Sequence, residues 1–263
     1  MSEERIVVAL DASPHSLAAL RAAAQFAAIM QTELHGLFVE DSDLLRLCAL
    51  PFCQEIGSFS ATVRTMDNQS VERQLRVLAS SIERTLAQVA GQLNVRWSFQ
   101  VKRGGVTTEL LAAAENSALL SMGRASRHSS RRGLGSTAAF IVKQSAHPVL
   151  ILGEKGQVKH PLTLLYTGTE SAARALQLAM RLAKRDHNDL HILLWMSEDA
   201  ARKAQADLSQ QLTERQIHPR FSTLGDFPNP QIAVRSFKSA TLVLPVEQAD
   251  LLAEVNGPVI LVP

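Results

Sequence analysis

The sequence predicts an α/β protein of two related domains, each a doubly wound parallel sheet with helices on both faces. Three observations carry this. Short apolar runs rich in Val, Leu and Ile alternate with longer amphipathic stretches, as expected of strands buried on both faces. The chain repeats itself, with Ile6 aligning to Leu162 at an offset of 156. Its 263 residues are 46% apolar but only 5% aromatic, which suits two ordinary domains with cores of Leu, Val, Ile and Ala.

In the first copy, strands are expected at 5–10, 34–40, 97–102, 118–122 and 148–152. Ser13 is a helix cap and Pro14 a first-turn residue, so a helix starts there. A long helix spans about 70–93, where Val71, Leu75, Leu78, Ile82, Leu86, Val89 and Leu93 form one apolar stripe. Two more helices follow at about 106–116 and 136–145. The insertion 41–66, with its apolar stretch 44–59, reads as a short helix and a covering segment.

The repeat needs no gap from 6 to 39. Identities fall at Ala19/Ala175, Ala23/Ala179, Ala27/Ala183, Leu34/Leu190 and His35/His191, among others. The ends also match, HPVLIL at 147–152 against GPVILV at 257–262. The second copy predicts strands at 162–167, 189–196, 219–224, 240–245 and 258–262, with helices at about 170–186, 198–216 and 229–238. A linker rich in glycine and basic residues, 153–161, divides domains of 1–155 and 160–263. Each final strand alone would be an exposed apolar edge, so 149–152 and 259–262 are expected to pair within the chain.

Composition excludes several classes. A net charge of +2 gives no case for nucleic-acid binding by the whole molecule. No stretch reaches the length of a membrane span, and the start of the chain lacks the pattern of a signal peptide. The expectation is a cytoplasmic protein whose two cysteines, Cys48 and Cys53, are reduced thiols without zinc. His35 and His191 fall on buried strands and read as satisfied core histidines.

In an open α/β sheet, ligands lie beyond the carboxyl ends of the strands, where strand order reverses. Three stretches should meet there: Asp11-Ala12-Ser13, Phe38-Val39, and Met122-Gly123 onward. Asp11 could accept a hydrogen bond from a ribose hydroxyl or hold a metal-bound water; equally, it could only shape its turn. The stretch 123–137, GRASRHSSRRGLGST, carries glycines, four arginines and a helix start at Gly135-Ser136-Thr137. No Asp or Glu occurs between Glu115 and Glu154. A helix N-terminus and arginines suit a polyanion; a solvated basic loop is the alternative.

Asp11 after an apolar strand, Met122-Gly123, the loop, Gly135-Ser136 and HPVLIL together resemble the universal stress protein family. The resemblance covers nearly all of the first domain and, more faintly, the second. It implies two tandem Rossmann-like (adenine nucleotide alpha hydrolase-like) domains, each with a five-stranded parallel sheet of order 3-2-1-4-5. It implies an adenine nucleotide such as ATP, ADP or AMP as ligand, with or without Mg. Ala9, Phe38, Val39 and Met122 would then lie near adenine and Asp11 near ribose. Gly123, Ser126, Gly135, Ser136 and Thr137 would hold the phosphates, with Arg124 the first of the arginines to reach them.

The family loop has a second glycine where this chain has Ser126, and the interval from Gly123 to Gly135 is one residue short. In the second copy Thr167 replaces Asp11 and Pro245 replaces Gly123, and most of the phosphate loop is gone. The expected function is therefore a nucleotide-responsive regulatory or interaction protein of the stress response, with its site in the first domain. Its protein partner is not named by the sequence, and a homodimer is compatible with it. The alternatives are a nucleotide-free interaction module and, more remotely, a slow ATP hydrolase. No nucleophile–base pair stands out, and no catalytic residue is assigned.

Overall fold

The computed structural model describes residues 5–48, 50, 54–56, 63–65, 68–125, 134–154, 156–183, 190–223, 231–232, 240–255 and 257–263. The first half runs β1 (Arg5–Ala9), α1 (Pro14–Met30), β2 (Glu33–Asp41), α2 (Ser42–Cys48), β3 (Gln54–Ile56) and β4 (Val63–Thr65). It continues with α3 (Asn68–Gln92), β5 (Trp97–Gly104), α4 (Val106–Ala114), β6 (Ser117–Gly123), α5 (Ser136–Gln144) and β7 (Val149–Leu152). The second half has β8 (Leu162–Tyr166), α6 (Glu170–Leu182), β9 (Leu190–Leu194), α7 (Glu198–Thr213) and β10 (Arg220–Thr223). It closes with β11 (Thr241–Pro245), a 3-10 helix (Val246–Glu254) and β12 (Val259–Val262).

Ten of these strands form one sheet, in the order β10-β9-β8-β11-β12-β7-β6-β1-β2-β5. Read from either end, each half has the order 3-2-1-4-5. All neighbours are parallel except β7 and β12, which pair antiparallel with Ile260 opposite Leu150. The two final strands thus pair as the sequence led us to expect. β3 and β4 form a separate antiparallel ribbon inside the insertion, which the apolar composition of that segment did not reveal.

Alternation along the strands divides the core. Even-numbered positions such as Ile6, Val8, Leu34, Phe38, Leu150 and Ile260 join a cluster with α1, α3, α6 and α7. Val7, Leu37, Val149, Ile151 and Leu261 join another with α4, α5 and the 3-10 helix. The first cluster runs through both halves. It contains all six alanines of the repeat, from Ala19/Ala175 to Ala27/Ala183, so those identities mark a buried, close-packed layer.

The turn after the first strand is built twice. Ala12 has φ 57° and Gly168, its counterpart, φ 78°. Each is followed by a helix cap: the Ser13 hydroxyl accepts from Ser16 N–H (3.1 Å), and the Thr169 hydroxyl accepts from Ala172 N–H (3.2 Å). A cap of this kind is worth about 1 kcal/mol. The expected helix 229–238 and the end of helix 170–186 lie largely outside the described residues.

Candidate functional site

A cleft of about 450 Å³ opens at the carboxyl edge of the first half, where β1 lies between β2 and β6. This is the point at which strand order reverses. Its volume falls within the range of small-molecule sites. Its apolar wall includes Ala9, Leu37, Val39, Val106, Leu110 and Met122. Its polar side has Asp11, Ser13 and Ser16 from the first turn, Asp41 from the end of β2, and Gly135, Ser136 and Thr137 from the start of α5.

Asp11 is exposed and its Oδ1 accepts from Ser13 N–H at 2.9 Å. It shapes the turn, as the plainer reading of the sequence had it, while also lining the cleft. Asp41 plays a comparable part at α2, where its Oδ1 accepts from Asp43 N–H at 2.9 Å.

The start of α5 differs from that of α1. Gly135 is its cap residue and supplies no side-chain acceptor. The first amides of a helix have no partner within it. Gly135 N–H donates to the Arg124 carbonyl at 2.8 Å, and the intrahelical bonds begin with Ala139 N–H to Gly135 O at 2.9 Å. Among the described residues, the amides of Ser136, Thr137 and Ala138 are left without acceptors, and all three residues line the cleft. The positive end of the helix dipole adds to their pull on an anion.

Gly123 is required by packing as well as by position. A Cβ there would lie 2.7 Å from His15 Cβ, 3.0 Å from His15 C and 3.1 Å from Ser16 N. The end of β6 therefore rests directly on the backbone of α1.

Two expected residues lie elsewhere. Phe38 is buried on the other face of β2, against α1 and α3, and its neighbours Leu37 and Val39 face the cleft instead. Ala12 lines an adjoining groove between α1 and α3. Arg124 borders the cleft, but its guanidinium donates to the carbonyls of Leu252 (3.0 Å) and Val255 (2.7 Å) in the second half, which corrects the expectation that it reaches phosphates. Burial lowers its pKa from the ordinary value, yet an arginine remains charged. Ser126, Arg127, His128, Arg131, Arg132 and Cys53 lie outside the described residues.

The sequence reading missed Leu37, Asp41, Leu78, Val106 and Leu110. Period two from Val39 points to Leu37, and the carboxyl end of the third strand points to Val106; Leu78, from the face of a distant helix, has no such local signal.

The corresponding edge of the second half is built differently. Pro245 pairs with Val262 just as Gly123 pairs with Leu152, so the two are structurally equivalent. The 3-10 helix then begins at once, and the Glu247 carboxylate accepts from the Ser171 hydroxyl (2.8 and 2.7 Å) near the start of α6. An internal carboxylate thus stands in the first turn of the helix that takes the place of α5, held by a residue from the start of α6. Among the described residues no group of three or more His, Cys, Asp or Glu is arranged for a metal, and no helix is long and apolar enough to cross a membrane.

No family model and no curated protein matches the sequence. Solved structures do. A universal stress protein from Archaeoglobus fulgidus DSM 4304 superposes with a TM-score of 0.70 at 14% identity, over 99% of this chain and 98% of that one. A functionally unknown protein from Pseudomonas aeruginosa PAO1 superposes at 0.55 and 11% identity, over 99% of this chain and 92% of that one. The fold is that of the universal stress proteins in a two-domain arrangement.

Proposed function

We propose that this chain binds an adenine nucleotide in its first half and acts as a nucleotide-responsive regulatory or interaction protein of universal stress protein type. The observation that carries the reading is the cleft itself. It joins an apolar wall, a carboxylate and an uncapped helix end at the sheet's reversal point. Adenine would lie against Ala9, Val39 and Met122, within reach of Leu37. Asp11 would offer Oδ2 to a ribose hydroxyl, since Ser13 N–H engages Oδ1. The phosphates would meet the amides of Ser136, Thr137 and Ala138. A Mg²⁺ ion would come with the phosphates of ATP, and Asp11 and Asp41 are carboxylates of the cleft lining that could face it.

On this reading, residues 1–155 form the nucleotide-binding domain and 160–263 a degenerate copy. A specific observation favours an interaction or scaffold role for the second copy, because Glu247 lies at its own helix start. The test is calorimetry with AMP, ADP and ATP. One nucleotide per chain is the expected result. No binding of any of the three would leave the nucleotide-free interaction module in its place.

A further inference from the structure

We infer that the second half positions the anion-binding end of α5 in the first half, through Arg124. The inference rests on the nucleotide reading for its ligand but on geometry for its mechanism. Arg124 is tied at three points. Its N–H donates to the Leu152 carbonyl at 2.6 Å, fixing the end of β6 to β7. Its carbonyl accepts from Gly135 N–H at 2.8 Å, fixing the residue from which α5 starts. Its guanidinium crosses to the second half, where Nη1 donates to Leu252 O (3.0 Å) and Nη2 to Val255 O (2.7 Å).

Those two carbonyls come from the end of the 3-10 helix, where the last carbonyls can take further donors; Leu252 O also accepts from Val255 N–H, at a long 3.4 Å. Leu252 and Val255 are both buried, at 3% and 5% exposure. The bonds are charge-assisted and sheltered, the class that holds geometry best. Arg124 Nε is buried without a partner, so the side chain gives up solvation to reach this position. The residue therefore links a support in the second half to the amides that would receive an anion. The arrangement is one-sided: in the second half the structurally equivalent position is Val246, which has no polar side chain. A domain that lacks a phosphate loop thus acquires a task, which is to brace its neighbour's.

The test compares wild type with Arg124→Met, which keeps length and loses every donor, and with Arg124→Lys. Hydrogen exchange is read first and needs no nucleotide. Arg124→Met should speed exchange at Gly135 and Ala139, whose amides are bonded at the start of α5, together with 246–255, while β1 and β8 stay protected. Unchanged exchange at Gly135 and Ala139 overturns the inference, and so does a uniform rise across the chain. Binding is read second. In Arg124→Met, affinity for AMP should fall by roughly 3- to 30-fold, while affinity for adenosine, which has no phosphate, should hold. Arg124→Lys should recover only part of the loss, because one ammonium cannot reproduce the planar fork. Equal losses for AMP and adenosine would make Arg124 a general structural residue and overturn the inference. If wild type binds no nucleotide at all, the proposed function fails, and the exchange result still decides the positioning role.

Discussion

His35 Nδ1 lies 2.8 Å from the Ser98 hydroxyl, joining the second and third strands of the first half. Ser98 donates its own proton to Glu33, so it must receive from the imidazole, and His35 carries its proton on Nδ1. The repeat makes a similar bond in a different register: His191 Nε2 lies 2.9 Å from the Ser222 hydroxyl on the corresponding strands, although His191 itself stands opposite Arg220. The two identical histidines thus each bond a serine of the neighbouring strand, through different ring nitrogens.

That contact sets a pH dependence. Burial lowers the pKa of His35, helped by Arg5 and Lys102 and opposed by Glu33 and a bond to Gln100. Burial and Arg220 lower that of His191. Below about pH 6.5 the unfolded chain takes up protons that the folded chain resists. Stability should therefore be fully present above that pH and decline as the pH falls below it. Urea melts of wild type and the double variant H35Q/H191Q between pH 8 and pH 5 check this. The variant should show a flatter slope, and equal slopes would place the dependence on other groups.

The paired turns offer a backbone test. A left-handed conformation costs a residue with a Cβ roughly 1–2 kcal/mol. At Gly168 an added Cβ would meet only Met196 Cε, at 3.6 Å. Gly168→Ala should thus lose about 1 kcal/mol through φ alone. Ala12→Gly, at φ 57°, should be neutral or gain up to about 1 kcal/mol. Opposite signs in thermal melts are the expected outcome, and a stabilised Gly168→Ala would contradict the assigned turn.

Gly123 and Gly135 should fail differently. Gly123→Ala forces a methyl against the backbone of α1 and should cost about 1–3 kcal/mol of stability. Gly135→Val should act chiefly on the ligand, by crowding the start of α5. Asp11→Ala should weaken adenine-nucleotide binding, and Thr167→Val in the second half should leave it unchanged. Melts and calorimetry on the same four variants separate the effects. If both Asp11→Ala and Gly135→Val bind as wild type does, the site lies elsewhere.

The seam between halves is testable by truncation. Leu150 and Ile260 face each other across β7 and β12, and both are fully buried. Ile260→Ala should cost about 2–5 kcal/mol. A loss under about 1 kcal/mol would show the seam to be dispensable for stability.

Much of the fold was legible because its signals are local. The stripe from Val71 to Val89 gives α3, and the repeat gives the second half without further information. The order of strands was implied by resemblance rather than by any residue pattern. Phe38 was misplaced because β2 is apolar on both faces, so composition does not say which face meets the cleft. Arg124 was misdirected because its partners lie 128 and 131 residues away. The 3-10 helix was read as a deletion, since nine residues doing a different job leave no trace of the loop they replace.

The antiparallel seam also removes a constraint. When two copies of one chain associate, every substitution appears on both sides of the interface. Here the partners are covalently joined, so each has an effective concentration at the other that dilution does not lower. Each side is then free to change alone. An arginine stands at 124 with only valine at 246, and the 3-10 helix carries Glu247 in its first turn where α5 carries no acid. On the proposed function, fusion lets a symmetric pair divide its labour, with the site in one partner and its support in the other.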